Sequence, residues 1–406
     1  MTETVDTIGA CPLDCPDGCS WVVTTDRASG EALKIRGNPR HPFTHGGLCK
    51  KVNPWLTYAA DPGRILTPLR RVGPKGSGSF EPISWDDALA EIAAKLRGVI
   101  DTDGGEAIWP FYGTGNVGFV QGVGGQPGHR LFDHLGASRH AATICSVSGH
   151  IGISYTAGSA FGVDPAEVVH AKTVLIWGSN TLVANQHWWP FVEQARSAGA
   201  TVVVVDPLLT RTAERADLHL AIRPGTDGAL ALGLCQLLVS KGYVDRAFLD
   251  ARTTGSAEFI ESLAAWDLAT TAETCGVEPH LIEALADQLA SAGPALIKLG
   301  QGMQRHAGGG QAARVVSCLP ALLGHYGRPG GGLVYSTSDS YVLNTGALRR
   351  SPTRSLAMTN LASNLNALDN PVKALLVLGA NPMVSNPDVQ WCRARPAARR
   401  SVHRGR

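Results

Sequence analysis

Long apolar runs are missing from this sequence. No stretch approaches the eighteen or so consecutive apolar residues that a membrane-spanning helix needs, although 44% of the residues are hydrophobic. The first ten residues, "MTETVDTIGA", have neither a basic start nor an apolar core, so they do not resemble an export signal. These absences predict a protein without a membrane span and with the cytoplasm as its compartment.

A strong excess of charge is also missing. The formal net charge is only +2, and residues 393–406 alone hold six arginines and no acidic residue. The rest of the chain is therefore mildly acidic, which predicts no nucleic-acid partner. With 406 residues, the chain is long enough to bury two or three cores of a multidomain protein.

The sequence also lacks a set of cysteines that could all pair. It has nine, an odd number, which argues against a disulfide framework. Three stand at four-residue intervals in "CPLDCPDGC", residues 11–19, and another follows at Cys49. Four soft thiolates suit a four-iron cluster or a structural zinc ion. The compact row of three favours the cluster, because one loop can hold three of its corners. Single thiols in apolar surroundings are predicted to be buried and inert, at Cys235, Cys275, Cys318 and Cys392.

Short apolar runs alternate with helix-like segments, a pattern typical of a parallel sheet covered by helices. The clearest β-α-β unit is "KTVLIWGSN", "HWWPFVEQARSAGA" and "TVVVVDPL". Further strands are predicted at "WVVTT", "EALKIRG", "AIWPFYG", "ALIKLGQG" and "KALLVLGANP", and a helix capped by Ser84 at "DDALAEIAAKLRGVI". Several of these runs end in glycine, which places tight turns where the carboxyl ends of parallel strands bind ligands.

Several single motifs leave a binding and a structural interpretation open. Asp206 and Asp227 follow strand-like runs, where an acid either binds ribose or guanine or caps a helix. Their occurrence with "WGSN" in one β-α-β run favours a ligand. "GTGNVG" is a literal G-x-G-x-x-G, but more glycines follow it, so a nicotinamide site there is a weak alternative. Cys145, in "ICSVSGHIG", is either a cavity-facing thiolate or a buried cysteine.

Together these motifs resemble the molybdopterin oxidoreductases of the dimethyl-sulfoxide-reductase family, prokaryotic enzymes with an N-terminal [4Fe-4S] domain. The resemblance spans residues 8–392 in the family's own order. It is carried by "CPLDCPDGC", "GGLCKK", "PISWDDALAEIA", "ICSVSGHIG", "VLIWGSNTLVANQHWWP", "VVVVDPLLTRTAERAD", "PGTDGALALG" and "GRPGGG". It implies two-electron redox chemistry or oxygen-atom transfer at molybdenum or tungsten. It also implies a small-molecule substrate and a redox partner protein.

The resemblance assigns the cysteines and one lysine to an electron path. Lys51 would lie between the cluster and the pterin, although Val52 follows it where family members usually have glycine. The [4Fe-4S] cluster would be held by Cys11, Cys15, Cys19 and Cys49. Cys145 would be the protein ligand of the molybdenum, with Ser146 as its competitor. Formate dehydrogenases have histidine after this ligand, so Ser146 speaks against formate as substrate.

The resemblance also implies a bis(molybdopterin guanine dinucleotide) cofactor bound by loops at strand ends. Gly300 and Gly302 would approach the metal-side pterin, and Asn381 would serve the second, symmetry-related arm. One guanine dinucleotide arm would be bound by Gly178, Ser179, Asn180, Asp206, Thr210, Gly225 and Asp227.

The implied fold is α/β, with a small N-terminal iron–sulfur module followed by two Rossmann-like, doubly wound α/β lobes. Family members add a C-terminal β-barrel domain, which is predicted to be absent because the sequence changes to arginine and alanine after Trp391. A truncated or frameshifted end is the expectation, and the alternative to an active enzyme is an inactive fragment that keeps the cluster. The predicted bounds are 1–60 for the [4Fe-4S] domain, 142–335 for the lobe binding one guanine dinucleotide, 61–141 with 336–392 for an incomplete second lobe, and 393–406 for a tail foreign to the fold.

Overall fold

The computed structural model describes residues 3–13, 15–113, 126–291, 293–336, 354–366, 369–387 and 403–404. Over these residues the chain has a mixed α/β fold built mainly on parallel strands, which confirms the predicted class. None of the helices in these ranges is long and apolar enough to cross a membrane.

The N-terminal module is an antiparallel meander of β1 (Thr4–Ala10), β2 (Ser20–Asp26) and β3 (Ala32–Gly37). The sequence predicted β2 and β3 but not β1, whose side chains are almost all exposed and show no apolar alternation. β1 pairs with β2 along its whole length, so residues 11–19 form a loop at one end of the sheet. Helix α1 (Trp55–Ala59) follows the meander.

A hairpin of β4 (Leu69–Arg71) and β5 (Phe80–Pro82) leads into the long helix α2 (Trp85–Asp103). Ser84 Oγ accepts a hydrogen bond from Asp87 N at 3.0 Å, which confirms the predicted N-cap. The chain continues through β6 (Ile108–Tyr112), α3 (Gln126–His134), β7 (Arg139–Ala141) and α4 (Val147–Ala157).

The largest sheet has five parallel strands: β8 (Thr173–Trp177), β9 (Thr201–Val205), β10 (Leu218–Leu220), β11 (Ala295–Leu299) and β12 (Gly332–Val334). Their spatial order is β10-β9-β8-β11-β12. Strands β9 and β10 therefore lie on one side of β8, and the chain then crosses back so that β11 and β12 lie on the other side. In doubly wound sheets, ligands bind beyond the carboxyl ends of the strands at this reversal, which here lies between β8 and β11.

Both faces of this sheet are buried, as a helix-covered parallel sheet requires. Alternate residues of β8 and β11 enter opposite apolar clusters: Leu175 and Ile297 lie in one, Val174 and Leu296 in the other. The covering helices are α5 (Thr181–Ala184), α6 (Trp189–Ser197), α7 (Asp227–Ser240), α8 (Arg246–Arg252), α9 (Ser256–Ser262), α10 (Leu268–Cys275), α11 (Pro279–Ser291), α12 (Gly309–Val316) and α13 (Leu319–Leu322).

Strands from distant parts of the sequence pair in the remaining region. β13 (Ser355–Ala357) lies parallel to β7, and β14 (Ala374–Leu378) lies parallel to β6. Helices α14 (Leu361–Asn366) and α15 (Pro382–Ser385) accompany them, and β15 (His403–Arg404) pairs with β14. Pairing thus joins the ranges 61–141 and 336–392 and reaches the arginine-rich tail, whereas the exact domain bounds stay a prediction.

Candidate metal centre and cofactor cleft

The loop between β1 and β2 brings three cysteines together with a fourth from the segment before α1. Cys11, Cys15, Cys19 and Cys49 line one small cavity, which we call the cysteine cavity. The loop is closed by a hydrogen bond from Cys11 N to Cys19 O of 2.8 Å. None of these four cysteines forms a disulfide. The structure thus brings the four predicted ligands together around one cavity.

The environment of these thiols matches a site for a multiply charged metal centre. The pKa of both Cys15 and Cys19 is raised to about 12, chiefly by burial and in addition by the negative charge of Asp17. Thiolates are the metal-binding form, so a cation in the cavity must provide the charge that keeps them ionised. Four sulfur donors around one buried space fit an iron–sulfur cluster by the chemistry of the donor set.

A larger cleft of about 770 Å³ lies next to the cysteine cavity. Both spaces are lined by Leu13, Cys15, Lys51 and Ala184. Among these shared residues, Lys51 carries the only charged basic side chain. Cys145 and Ser146 line the cleft from the turn before α4. Among the described residues that line the cleft there is no acidic side chain, and the cations facing it are Lys51, Lys298 and Arg305.

The cleft opens at the switch point of the five-stranded sheet. Gly178, Ser179 and Asn180 follow β8 and line it, as do Gly300 and Gly302 after β11. The two turns approach so closely that a Cβ on Gly300 would lie 1.9 Å from Gly178 O. Gly178 has φ 61°, a left-handed conformation that glycine adopts at little cost. These glycines leave backbone groups accessible beside the cationic cleft, which suits an anionic ligand.

Cys145 contacts two glutamines of the segment that follows β11. Its Sγ lies 3.8 Å from Gln301 Oε1, and its carbonyl accepts a hydrogen bond from Gln304 Nε2 at 2.6 Å. The carbonyl of the neighbouring Ser146 accepts a hydrogen bond from Tyr335 Oη at 3.0 Å. The structure therefore positions both candidate ligands in the same wall.

Two of the remaining predicted residues line a third cavity, separate from the cysteine cavity and the cleft. Gly225 and Asp227 line a cavity of about 260 Å³ together with His306. Asp227 is buried and accepts a hydrogen bond from Trp177 Nε1 at 2.8 Å; burial raises its pKa. The hydrogen bond from Trp177 connects Asp227 to the end of β8, so the role of Asp227 is not limited to capping a helix.

Three predicted residues do not line these cavities. Asp206 Oδ1 accepts from Leu208 N at 2.9 Å, and Thr210 Oγ1 accepts from Ala213 N at 3.2 Å, so both stabilise local turns. Asn381 follows β14, on a different sheet, and is exposed. In "GTGNVG", Gly113 lies after β6, while Gly115 and Gly118 fall outside the described residues.

Sequence reasoning missed a buried lysine and a buried acid–histidine pair. Lys298, on β11, lines the cleft; burial lowers its pKa to about 8, and its Nζ donates to Tyr335 O at 3.3 Å. Asp17 accepts a hydrogen bond of 2.8 Å from His187 Nδ1 at the cysteine cavity. The signal for Lys298 is a charged residue inside the apolar run "ALIKL", where an uncompensated charge is costly.

Comparison with known proteins agrees with this geometry. Residues 3–59 match the family described as "Molybdopterin oxidoreductase Fe4S4 domain", and residues 64–399 match "Molybdopterin oxidoreductase". The chain belongs to the molybdopterin oxidoreductase family. The resemblance noted in the sequence motifs is thereby confirmed, including the Fe4S4 domain at the N-terminus.

Individual relatives cover almost all of this chain. "Probable oxidoreductase YoaE" of Bacillus subtilis (strain 168) is 36% identical over 389 residues, 94% of this chain and 57% of the relative. "Dimethyl sulfoxide reductase DmsA" of Escherichia coli (strain K12) is 32% identical over 430 residues, 93% of this chain and 52% of the relative. This member of the family therefore spans a little over half the length of these relatives.

A solved structure supports the fold. "Acetylene Hydratase from Pelobacter acetylenicus" superposes with a TM-score of 0.77 at 22% identity, covering 94% of this chain and 58% of that protein. At this identity the likeness concerns the molybdopterin oxidoreductase fold and not the reaction.

Proposed function

We propose that this chain forms the cluster and pterin site of a molybdenum or tungsten oxidoreductase. The observation that carries the proposal is the arrangement of the cleft: it lies at the switch point, contains cations without acids among its described lining, and meets the cysteine cavity at Lys51. A dinucleotide cofactor is polyanionic, so its charge complements this lining. When bound, the cofactor would supply two-electron redox or oxygen-atom transfer, and the cluster single-electron transfer.

The chain's own residues would bind and orient one guanine dinucleotide arm. Gly178 and Gly300 bring two backbone turns together at the cleft, and turn amides are suited to phosphate and pterin oxygens. Asp227 would accept hydrogen bonds from a guanine or a ribose, which is supported by its buried position in the third cavity. Asp206, Thr210 and the second-arm residue Asn381 remain predictions supported by the family motifs.

Cys145 is our proposed ligand for the metal, supported by its place in the cleft wall. Its contacts with Gln301 and Gln304 fix the turn that presents it. Ser146 lines the same wall, and its hydroxyl is the competing candidate. Lys51, with cluster ligands on one side and the cleft on the other, is the proposed bridge for electrons that would be exchanged with a redox partner protein.

Metal and nucleotide analysis of anaerobically purified protein tests the proposal. We expect about four iron atoms per chain, together with stoichiometric molybdenum or tungsten and with guanine nucleotide released by acid hydrolysis. Iron without molybdenum, tungsten or nucleotide would replace the proposal with the alternative of an inactive fragment that keeps its cluster. A colourless protein containing zinc would reject both.

Substitution of Cys145 tests its role within the loaded protein. The variant Cys145→Ala should lose turnover of an oxide substrate with a reduced viologen dye, while keeping the iron content and cluster absorption. Dimethyl sulfoxide is the first substrate to assay because one relative bears that activity in its name. Cys318→Ala is the matched control, since Cys318 is also partly buried but does not line the cleft. Full turnover by Cys145→Ala would exclude Cys145 as the metal ligand.

A further inference from the structure

A buried carboxylate and a buried imidazole meet at the edge of the cysteine cavity. Asp17 is 3% exposed and His187 is 8% exposed, and Asp17 Oδ2 lies 2.8 Å from His187 Nδ1. Both residues line the cavity together with the four cysteines. The proposed function uses neither of them, although a buried charged group is costly unless it is paired and hydrogen-bonded.

The two partners come from different parts of the fold. Asp17 lies in the loop between Cys15 and Cys19, whereas His187 lies in the turn between α5 and α6 of the five-stranded lobe. That turn supplies three donors to the carboxylate: His187 Nδ1, His187 N at 3.2 Å and Asn185 Nδ2. The lobe therefore fixes the position of the acid inside the cysteine loop.

The imidazole also faces the cysteines directly. His187 Nδ1 lies 3.5 Å from Cys19 Sγ, so the proton on Nδ1 can be shared between the Asp17 carboxylate and the sulfur. The opposite edge of the ring packs against Gly47, where a Cβ would lie 2.8 Å from Nε2. Gly47 is two residues before Cys49, so the ring is wedged between the segments that carry two of the four thiols.

We propose that His187 and Asp17 are positioning residues that tune the reduction potential of the cluster in opposite directions. This inference rests on the proposed [4Fe-4S] cluster. Hydrogen bonds to cluster sulfurs and the net charge nearby both set such potentials. A donor at Cys19 Sγ offsets negative charge on the sulfur and favours the reduced cluster, whereas the Asp17 carboxylate adds negative charge and favours the oxidised cluster.

A set of four variants separates tuning from a purely structural role. His187→Leu removes the donor, His187→Asn keeps an amide nitrogen at the Nδ1 position, and Asp17→Asn removes the charge with little change in shape. The control is His325→Asn: His325 is similarly buried, and its Nδ1 accepts from Ala295 N at 3.2 Å, away from the cysteine cavity.

The measurement is an anaerobic redox titration of the purified protein, followed by electron paramagnetic resonance of the reduced cluster, with iron content determined for each variant. His187→Leu should lower the midpoint potential and Asp17→Asn should raise it. His187→Asn and His325→Asn should both keep the wild-type value. Potentials that do not move, or that move in the same direction in His187→Leu and Asp17→Asn, would overturn the inference.

Iron content decides the remaining cases. Loss of iron from all three variants of the pair, with retention in His325→Asn, would assign the pair a purely structural role and contradict tuning. If only His187→Leu loses iron, the other two variants decide the question. The midpoint potential should then rise in Asp17→Asn and stay at the wild-type value in His187→Asn. Wild-type protein without iron would refute the proposed cluster itself, a result visible before any variant is made.

Discussion

Two strand–turn–helix segments of this protein have nearly the same local structure and very different surroundings. β8 and β14 are both five-residue parallel strands, and each is followed by glycine, a small residue and asparagine. Gly178 has φ 61° and Gly379 has φ 54°. Asn180 and Asn381 then precede four-residue helices.

The surroundings separate the two segments. β8 is buried along its whole length between β9 and β11, and its turn lines the cleft. β14 lies between β6 and β15 with every residue at least partly exposed, and Asn381 is exposed beyond it. The turn motif thus encodes the backbone conformation, whereas neighbouring strands decide whether that conformation belongs to a binding site.

Adding a methyl group against the β8 turn, at Gly300, and within the β14 turn, at Gly379, should show the largest difference between the two segments. In Gly300→Ala, the Cβ would meet Gly178 O at 1.9 Å and Gly178 C at 2.5 Å, both backbone atoms that cannot yield easily. We expect a loss of about 3 kcal/mol or more in the free energy of unfolding, together with loss of the pterin. Gly379→Ala would place a side chain at a positive φ of 54° and should cost about 1 kcal/mol.

Urea denaturation followed by tryptophan fluorescence measures both changes in the protein without cofactor. Equal costs for the two variants would show that the close approach of the β8 and β11 turns is not tightly packed.

A buried charge should give the next largest difference. The pKa of Lys298 is lowered from 10.5 to about 8 by burial, which corresponds to about 3 kcal/mol of destabilisation. Lys298→Met should therefore raise the free energy of unfolding at pH 7 by about 2 kcal/mol: removing the buried charge recovers about 3 kcal/mol, and leaving Tyr335 O without its donor costs about 1 kcal/mol. It should also weaken binding of the anionic cofactor.

The pH dependence gives the sign of this effect. Between pH 8 and 10.5 the unfolded state binds more protons at Lys298 than the folded state, so stability rises with pH in this window. Lys298→Met should lack that part of the rise in urea denaturation. Lys373→Met is the control beside β14. The partly exposed Lys373 lies 3.6 Å from Asp103, and this ion pair should contribute less than about 1 kcal/mol to the free energy of unfolding. Identical pH profiles of wild type and Lys298→Met would refute a buried charge.

Features that depend on short stretches of sequence could be predicted. The cysteine spacing predicted one ligand set, Ser84 predicted a helix cap, and the apolar runs predicted the strands of the β8 region. Asp17 and His187 both stand inside motifs that were recognised, yet 170 positions separate them. Their contact depends on how the cysteine loop docks on the lobe, and no periodicity in one sequence encodes that docking.

The asparagines that end the two turns should show the smallest difference. Asn180 Oδ1 accepts a hydrogen bond of 2.9 Å from the hydroxyl of Thr212, which is fully buried and also accepts from Leu182 N. Asn180→Ala leaves that hydroxyl proton without its acceptor and should cost about 1 to 2 kcal/mol. Asn381→Ala should stay within about 0.5 kcal/mol, since Asn381 is exposed and its side chain does not cap α15. Equal costs in urea denaturation would mean that the buried Thr212 does not distinguish the β8 segment from the β14 segment.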